Sequence, residues 1–195
     1  MKNEIMVVII CTLLIATAIP VVGQMKNISI NKDDETSPLT SGDKWMKLFR
    51  GNSFDVGYKV LITSDGGYLI LGETMSFGEG ESDIWLIKTN SLGDKIWEKT
   101  IGSENLDIGW AIRPTDDGGY IIVGLTTHNS KGEDDLWLLK VDSEGNKLWE
   151  NTHGYTDFDS GSDIMQTSDG GYIIIGSVNS TGCTSGQIWL LKTDG

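Results

Sequence analysis

Asp117-Gly118-Gly119-Tyr120-Ile121-Ile122-Val123-Gly124 is the stretch that decides the fold. Asp-Gly is the favoured start of a tight hairpin turn, because glycine reaches positive φ without steric cost. The residues after it are apolar at every position, and a strand without alternation is buried on both faces. The same string stands at Asp65–Gly72 and at Asp169–Gly176, each 52 residues from the next.

Moving outward, every other landmark keeps that interval. Trp85, Trp137 and Trp189 form one column, in the pattern D-x-W-L-x-K, with Gln187 standing where the other copies have Asp83 and Asp135. Trp45, Trp97 and Trp149 form a second column, and the two columns take six of the seven tryptophans. Asp55, Asp107 and Asp159 each precede a glycine by two positions and read as turn residues bonding their own backbone. Trp110 replaces Tyr58 of the first copy.

Each copy reads as four short strands, in the first copy near Tyr58–Thr63, Tyr68–Gly72, Asp83–Thr89 and Lys95–Ile101. An antiparallel sheet covered on both faces must lie between other sheets, and radial stacking of four-stranded blades supplies that cover. A 52-residue period is long for a β-solenoid coil and carries no helical pattern. The expectation is an all-β, β-propeller-type repeat of three blades over residues 42–195, whose final copy stops after its third strand. Pro114 falls in a first strand, which is tolerated at a sheet edge where no ladder donor is needed. The two tryptophan columns are expected to pack between sheets. Burying an indole removes roughly 150–250 Å² from water, about 4–6 kcal/mol as an upper bound.

These strings resemble the β-propeller repeats of secreted archaeal and bacterial surface proteins. Asn90–Trp97 and Asp142–Trp149 resemble the tryptophan-docking turn of quinoprotein-like propellers: an amide or acidic residue, a glycine, then tryptophan four residues later. The resemblance covers the chain beyond its first 41 residues. It implies propeller architecture and carries no catalytic residue across, because no active-site motif matches.

The N-terminus reads differently. Lys2 opens a short polar region, Ile5 to Ile19 is apolar, and Pro20 with Val21-Val22-Gly23 offers a small-residue cleavage site. That is the layout of a signal peptide over residues 1–23, with an uncleaved signal anchor as the alternative. Residues 24–41 are polar and aperiodic and read as a flexible spacer. The expected product is secreted or surface-bound, without a membrane span after cleavage. The charge of −13 argues against nucleic acid and anionic membranes as partners. Cys11 lies in the leader, so Cys183 has no partner for an internal disulfide. Asn27-Ile28-Ser29 and Asn179-Ser180-Thr181 match the glycosylation sequon, a short pattern that plain polar loops also match.

Closed propellers typically have four to eight blades. Two accounts of three copies stand together. In one, Gly42-Asp43-Lys44-Trp45, which resembles Gly93–Trp97, completes the last blade of a second chain, giving a homodimer by N-terminal strand exchange. In the other, the sequence is a fragment of a larger ring.

A catalytic group should break the repeat, and little does. His128 and His153 occupy different repeat positions without ligand-spaced partners and read as solvated loop residues. No HExxH, CxxC, GxSxG or phosphate-loop string occurs. No catalytic residue or cofactor is assigned. Asp157, Asp159 and Asp163 around Gly161 faintly resemble a Ca²⁺ loop but lack its terminal bidentate glutamate. The expected function is a non-enzymatic interaction module binding a protein or glycan. A carbohydrate-active enzyme or lectin-like binder is the alternative, and a quinone-dependent oxidoreductase a more remote one.

Overall fold

Tyr120-Ile121-Ile122-Val123 and its two counterparts form the second strand of three antiparallel sheets in the computed structural model. The structure describes residues 45–128, 133–155, 157–179 and 186–194. The leader, the spacer, Cys11, Cys183 and the Asn27 sequon lie outside them. The described residues contain eleven strands and no helix, so none long and apolar enough to cross a membrane.

The first sheet runs β1 (Asp55–Ile62), β2 (Tyr68–Thr74), β3 (Asp83–Thr89), β4 (Lys95–Ile101), in that order across the sheet. The second repeats it as β5 (Asp107–Pro114), β6 (Tyr120–Thr126), β7 (Asp135–Val141), β8 (Lys147–His153). The third holds β9 (Asp159–Gln166), β10 (Tyr172–Val178) and β11 (Gln187–Thr193), with β11 at its edge. The fold is therefore all-β, a propeller-type repeat. Pro114 ends β5, an edge strand, where its missing N–H leaves no gap in a ladder.

The tight Asp-Gly turn takes a longer form than a two-residue hairpin. Thr115 N–H bonds Gly119 C=O and Gly118 N–H bonds Thr115 C=O, with Gly118 at φ +84°. That is a three-residue loop ending in one left-handed glycine. The Asp117 carboxylate accepts from Thr115 Oγ and Gly119 N–H and holds the loop closed. β1 also begins three residues before the expected Tyr58. Its ladder steps over residue 58 with a register shift between Gly57 and Lys59. Beside the matching bulge of the second sheet, between Gly109 and Ala111, Gly124 passes so close to Ile108 C=O that no Cβ fits between them.

Alternation along each strand sends side chains to two faces, and both faces of the second sheet are apolar. One face packs Ile112, Ile122, Trp137 and Leu139 on Leu69, Leu71, Ile84 and Leu86 of the first sheet. The other packs Ala111, Ile121, Val123, Leu136 and Leu138 on Ile164, Tyr172 and Ile174 of the third. Each fully buried aliphatic side chain contributes about 1.5–3 kcal/mol. β3 and β7 are buried at all seven positions, as continuous apolar strands require.

Four of the repeated tryptophans lie between sheets, Trp97 and Trp137 at the first boundary and Trp149 and Trp189 at the second, whereas Trp45 and Trp85 lie on the outer face of the first sheet. Trp85 and Trp137 are buried, and their indole N–H groups donate to Glu98 and Glu150. Trp97 is half-buried and lies over Gly145 in the turn of the next sheet, which has no room there for a Cβ. Trp149 meets Tyr172 of the third sheet, with ring centroids 6.1 Å apart. Trp45 stands 41% exposed against Tyr68 and Gly93 of the first sheet, and Trp189 is half-buried.

Candidate functional site

The two ends of the sheets are unequal. At one end the connections are tight: the Asp-Gly-Gly loops and the turns Asn90–Asp94 and Asp142–Asn146. At the other end stand the longer connection at residues 75–82 and the described parts of those around 127–134 and 179–186, beside the short sheet-to-sheet connections at 102–106 and around 154–158. Binding residues concentrate on such loops when a rigid scaffold holds them. This rim is the candidate site.

Two columns of aspartates anchor it. Asp55 accepts from Gly51 N–H at 2.7 Å, Thr74 Oγ at 2.6 Å and Ser76 Oγ at 3.0 Å. Asp107 accepts from Ser103 N–H at 2.6 Å and Ser103 Oγ at 2.7 Å. Asp159 takes the N–H groups of Tyr155 and Asn179. Asp83, buried in β3, takes those of Glu79 and Gly80. The expected local turn role of Asp55, Asp107 and Asp159 is thus corrected: each begins a strand and satisfies donors at least four residues away. Loop N–H groups at a buried rim need acceptors, and a carboxylate supplies two oxygens.

The carboxylates also meet across the sheets. A Cβ on Gly102 would strike Asp83 and approach Asp107, and one on Gly154 would do the same to Asp135 and Asp159. Burial holds the Asp83 carboxyl above its ordinary range against the opposing loop N–H groups, and the Asp107 charge adds to the rise. For Asp55 burial pushes upward, but the bonds from Thr74, Gly51 and Ser76 prevail and hold it low. Asp134 rises through burial and its neighbours Glu133 and Asp135.

The calcium candidates are drawn to separate tasks. Asp159 caps the rim, Asp163 forms a two-pronged ion pair with Arg113 at 2.8 Å, and Asp157 stands half-exposed in a loop. Among the described residues no group of three or more His, Cys, Asp or Glu side chains is placed to hold a metal ion. His128 follows β6 and is exposed at the rim. His153 is not a loop residue: it ends β8, opposite Leu136.

Two repeat-related grooves open below the rim. One of about 380 Å³ lies over Trp137, with Asp107, His128, Lys147 and Glu150 among its walls. The other, about 310 Å³, lies over Trp85 with Arg50, Phe77, Lys95 and Glu98. In each, the glutamate accepts from the indole and pairs with the lysine, at 2.9 Å for Lys147–Glu150 and 2.7 Å for Lys95–Glu98. Phe54, Phe77, Tyr155 and Phe158 are exposed on the same rim.

Sequence reasoning passed over Glu73, which replaces the apolar Leu125 of the second copy. It is buried, and it accepts from Tyr58 OH and, at 2.6 Å, from Ser82 Oγ. Burial first, and then that bond, raise the Tyr58 phenol well above its usual range. The break in the repeat was the available signal. Comparison of the sequence with family models and with curated proteins gives no match.

Proposed function

We propose that the chain is an exported propeller-type binding module that recognises a partner through its loop rim and performs no chemistry of its own. Export is supported by the apolar leader over residues 1–23. One observation carries the binding reading: the repeating carboxylates hold the scaffold. Asp65, Asp117 and Asp169 pair with Lys88, Lys140 and Lys192, while Asp55, Asp107 and Asp159 cap the rim loops. A group engaged by several fixed donors is a poor general acid or nucleophile, since reaction would have to break those bonds.

A glycan is the favoured class within the second reading, because Phe54, Phe77, Tyr155 and Phe158 expose ring area beside polar groove walls. Trp85 and Trp137 are too buried to stack on a sugar. A glycan array run beside a panel of glycoside substrates tests both. Binding without turnover, lost on joint Tyr155→Ala and Phe158→Ala substitution, is the expected result for the lectin-like reading. Silence on the array leaves a protein as partner. Turnover of any glycoside would sink the non-enzymatic reading.

A further inference from the structure

The internal sheet boundaries show what an outer face of this repeat needs; the outer face of the third sheet is open, and that of the first is covered over Trp85 and Ile87 but open at Val60. On the third sheet, Ile188 is 85% exposed, Leu190 68% and Ile175 45%. Their counterparts Ile84, Leu86 and Leu71 on the first sheet, and Leu136, Leu138 and Val123 on the second, are buried against the following sheet. On the first sheet, Val60 is 63% exposed, while its counterparts Ile112 and Ile164 are buried against the preceding sheet. The two open faces are therefore the two halves of a boundary the molecule already makes twice.

A strand is displaced in the same sense. Residues 45–50 run beside the first sheet as a preceding sheet's fourth strand would. Trp45 meets the turn glycine Gly93 as Trp97 meets Gly145, and Lys47 lies there as Lys99 does. Lys47 also pairs with Asp94 at 2.8 Å. Asp55 caps Gly51 N–H as Asp107 caps Ser103 N–H. This segment belongs to no sheet, whereas among the described residues β11 is a sheet edge without the neighbour that β3 and β7 have.

We propose that a second copy of this chain fills both gaps. The open face of the third sheet packs on the first sheet of the second copy, whose residues 45–49 add to β11 as its fourth strand. The β3–β4 register pairs Lys88 with Trp97 and Leu86 with Lys99. Carried over the repeat, Lys192 pairs with Trp45 of the second copy and Leu190 with its Lys47. The contact is heterologous, so it closes only if the rotation closes. The described residues of two copies bring six sheets, within the four to eight blades that close a ring. Long, exposed apolar edges are otherwise aggregation sites, and closure removes them.

Sedimentation of the purified chain at micromolar concentration tests this, with twice the chain mass expected. Leu190→Lys and Val60→Asp, both at exposed positions, should each halve that mass while far-ultraviolet circular dichroism stays unchanged. Mixing the two variants should restore the doubled mass through one of the two boundaries, the one at which each retains the face the other lacks. A monomeric wild-type chain, a dimer untouched by Leu190→Lys, or monomeric variants that do not recover on mixing would each overturn the proposal. An open series of higher masses would overturn the closed pair.

Discussion

Lys140 is 4% exposed, and its Nζ reaches Asp117 at 2.8 Å and Val141 C=O at 3.2 Å. The ammonium is the buried partner and the carboxylate the wet one, so the pair mainly serves the lysine. The bond from Lys140, then those from Thr115 and Gly119, hold the Asp117 carboxyl far below the ordinary range. Asp65, led by Lys88, and Asp169, led by Thr167, behave alike. A lowered carboxyl stabilises the fold above its unfolded value and loses that contribution as pH falls through its folded value. Asp117→Asn should therefore cost on the order of 1 kcal/mol at pH 7, discounted for solvent screening. The gap from wild type should narrow below about pH 4. Denaturant titrations at pH 7 and pH 3 read both effects. Asp83 carries the opposite sign, because burial raises it: its contribution is lost as pH rises through its folded value.

At the element scale the aromatic columns differ in depth. Trp137 is enclosed within the boundary between the first and second sheets, while Trp97 lies half-open over the turn of the second. Trp137→Ala should cost about 3–5 kcal/mol, the scale for removing a buried aromatic. Trp97→Ala should cost less, because less area returns to water. Chemical denaturation of both variants checks the order. The strands themselves were legible because DGGY and the unbroken apolar runs are local signals. β1 was read short because its first residues, Asp55-Val56-Gly57, look like a turn. They become strand through long-range bonds to Thr74 and Ser76.

Across the whole molecule, stability should follow coverage. The second sheet is packed on both faces, while the third presents one open face. Amides of β6 and β7 should exchange with deuterium more slowly than those of β10 and β11 in any dissociated chain. Equal protection would mean that the open face contributes as much as the covered one. The 52-residue period and the all-β class followed from the sequence alone, whereas the expected packing between sheets holds for Trp97, Trp137, Trp149 and Trp189 and not for Trp45 and Trp85. Turn chemistry and burial on both faces are properties of neighbouring residues, repeated three times. The tertiary structure decided that the rim aspartates cap loops, that Arg113 meets Asp163, and that Glu73 is buried beneath Tyr58. It also decided which faces remain open. Those outcomes depend on which distant groups arrive at the same place, and a period along the chain does not encode the distance between its copies in space.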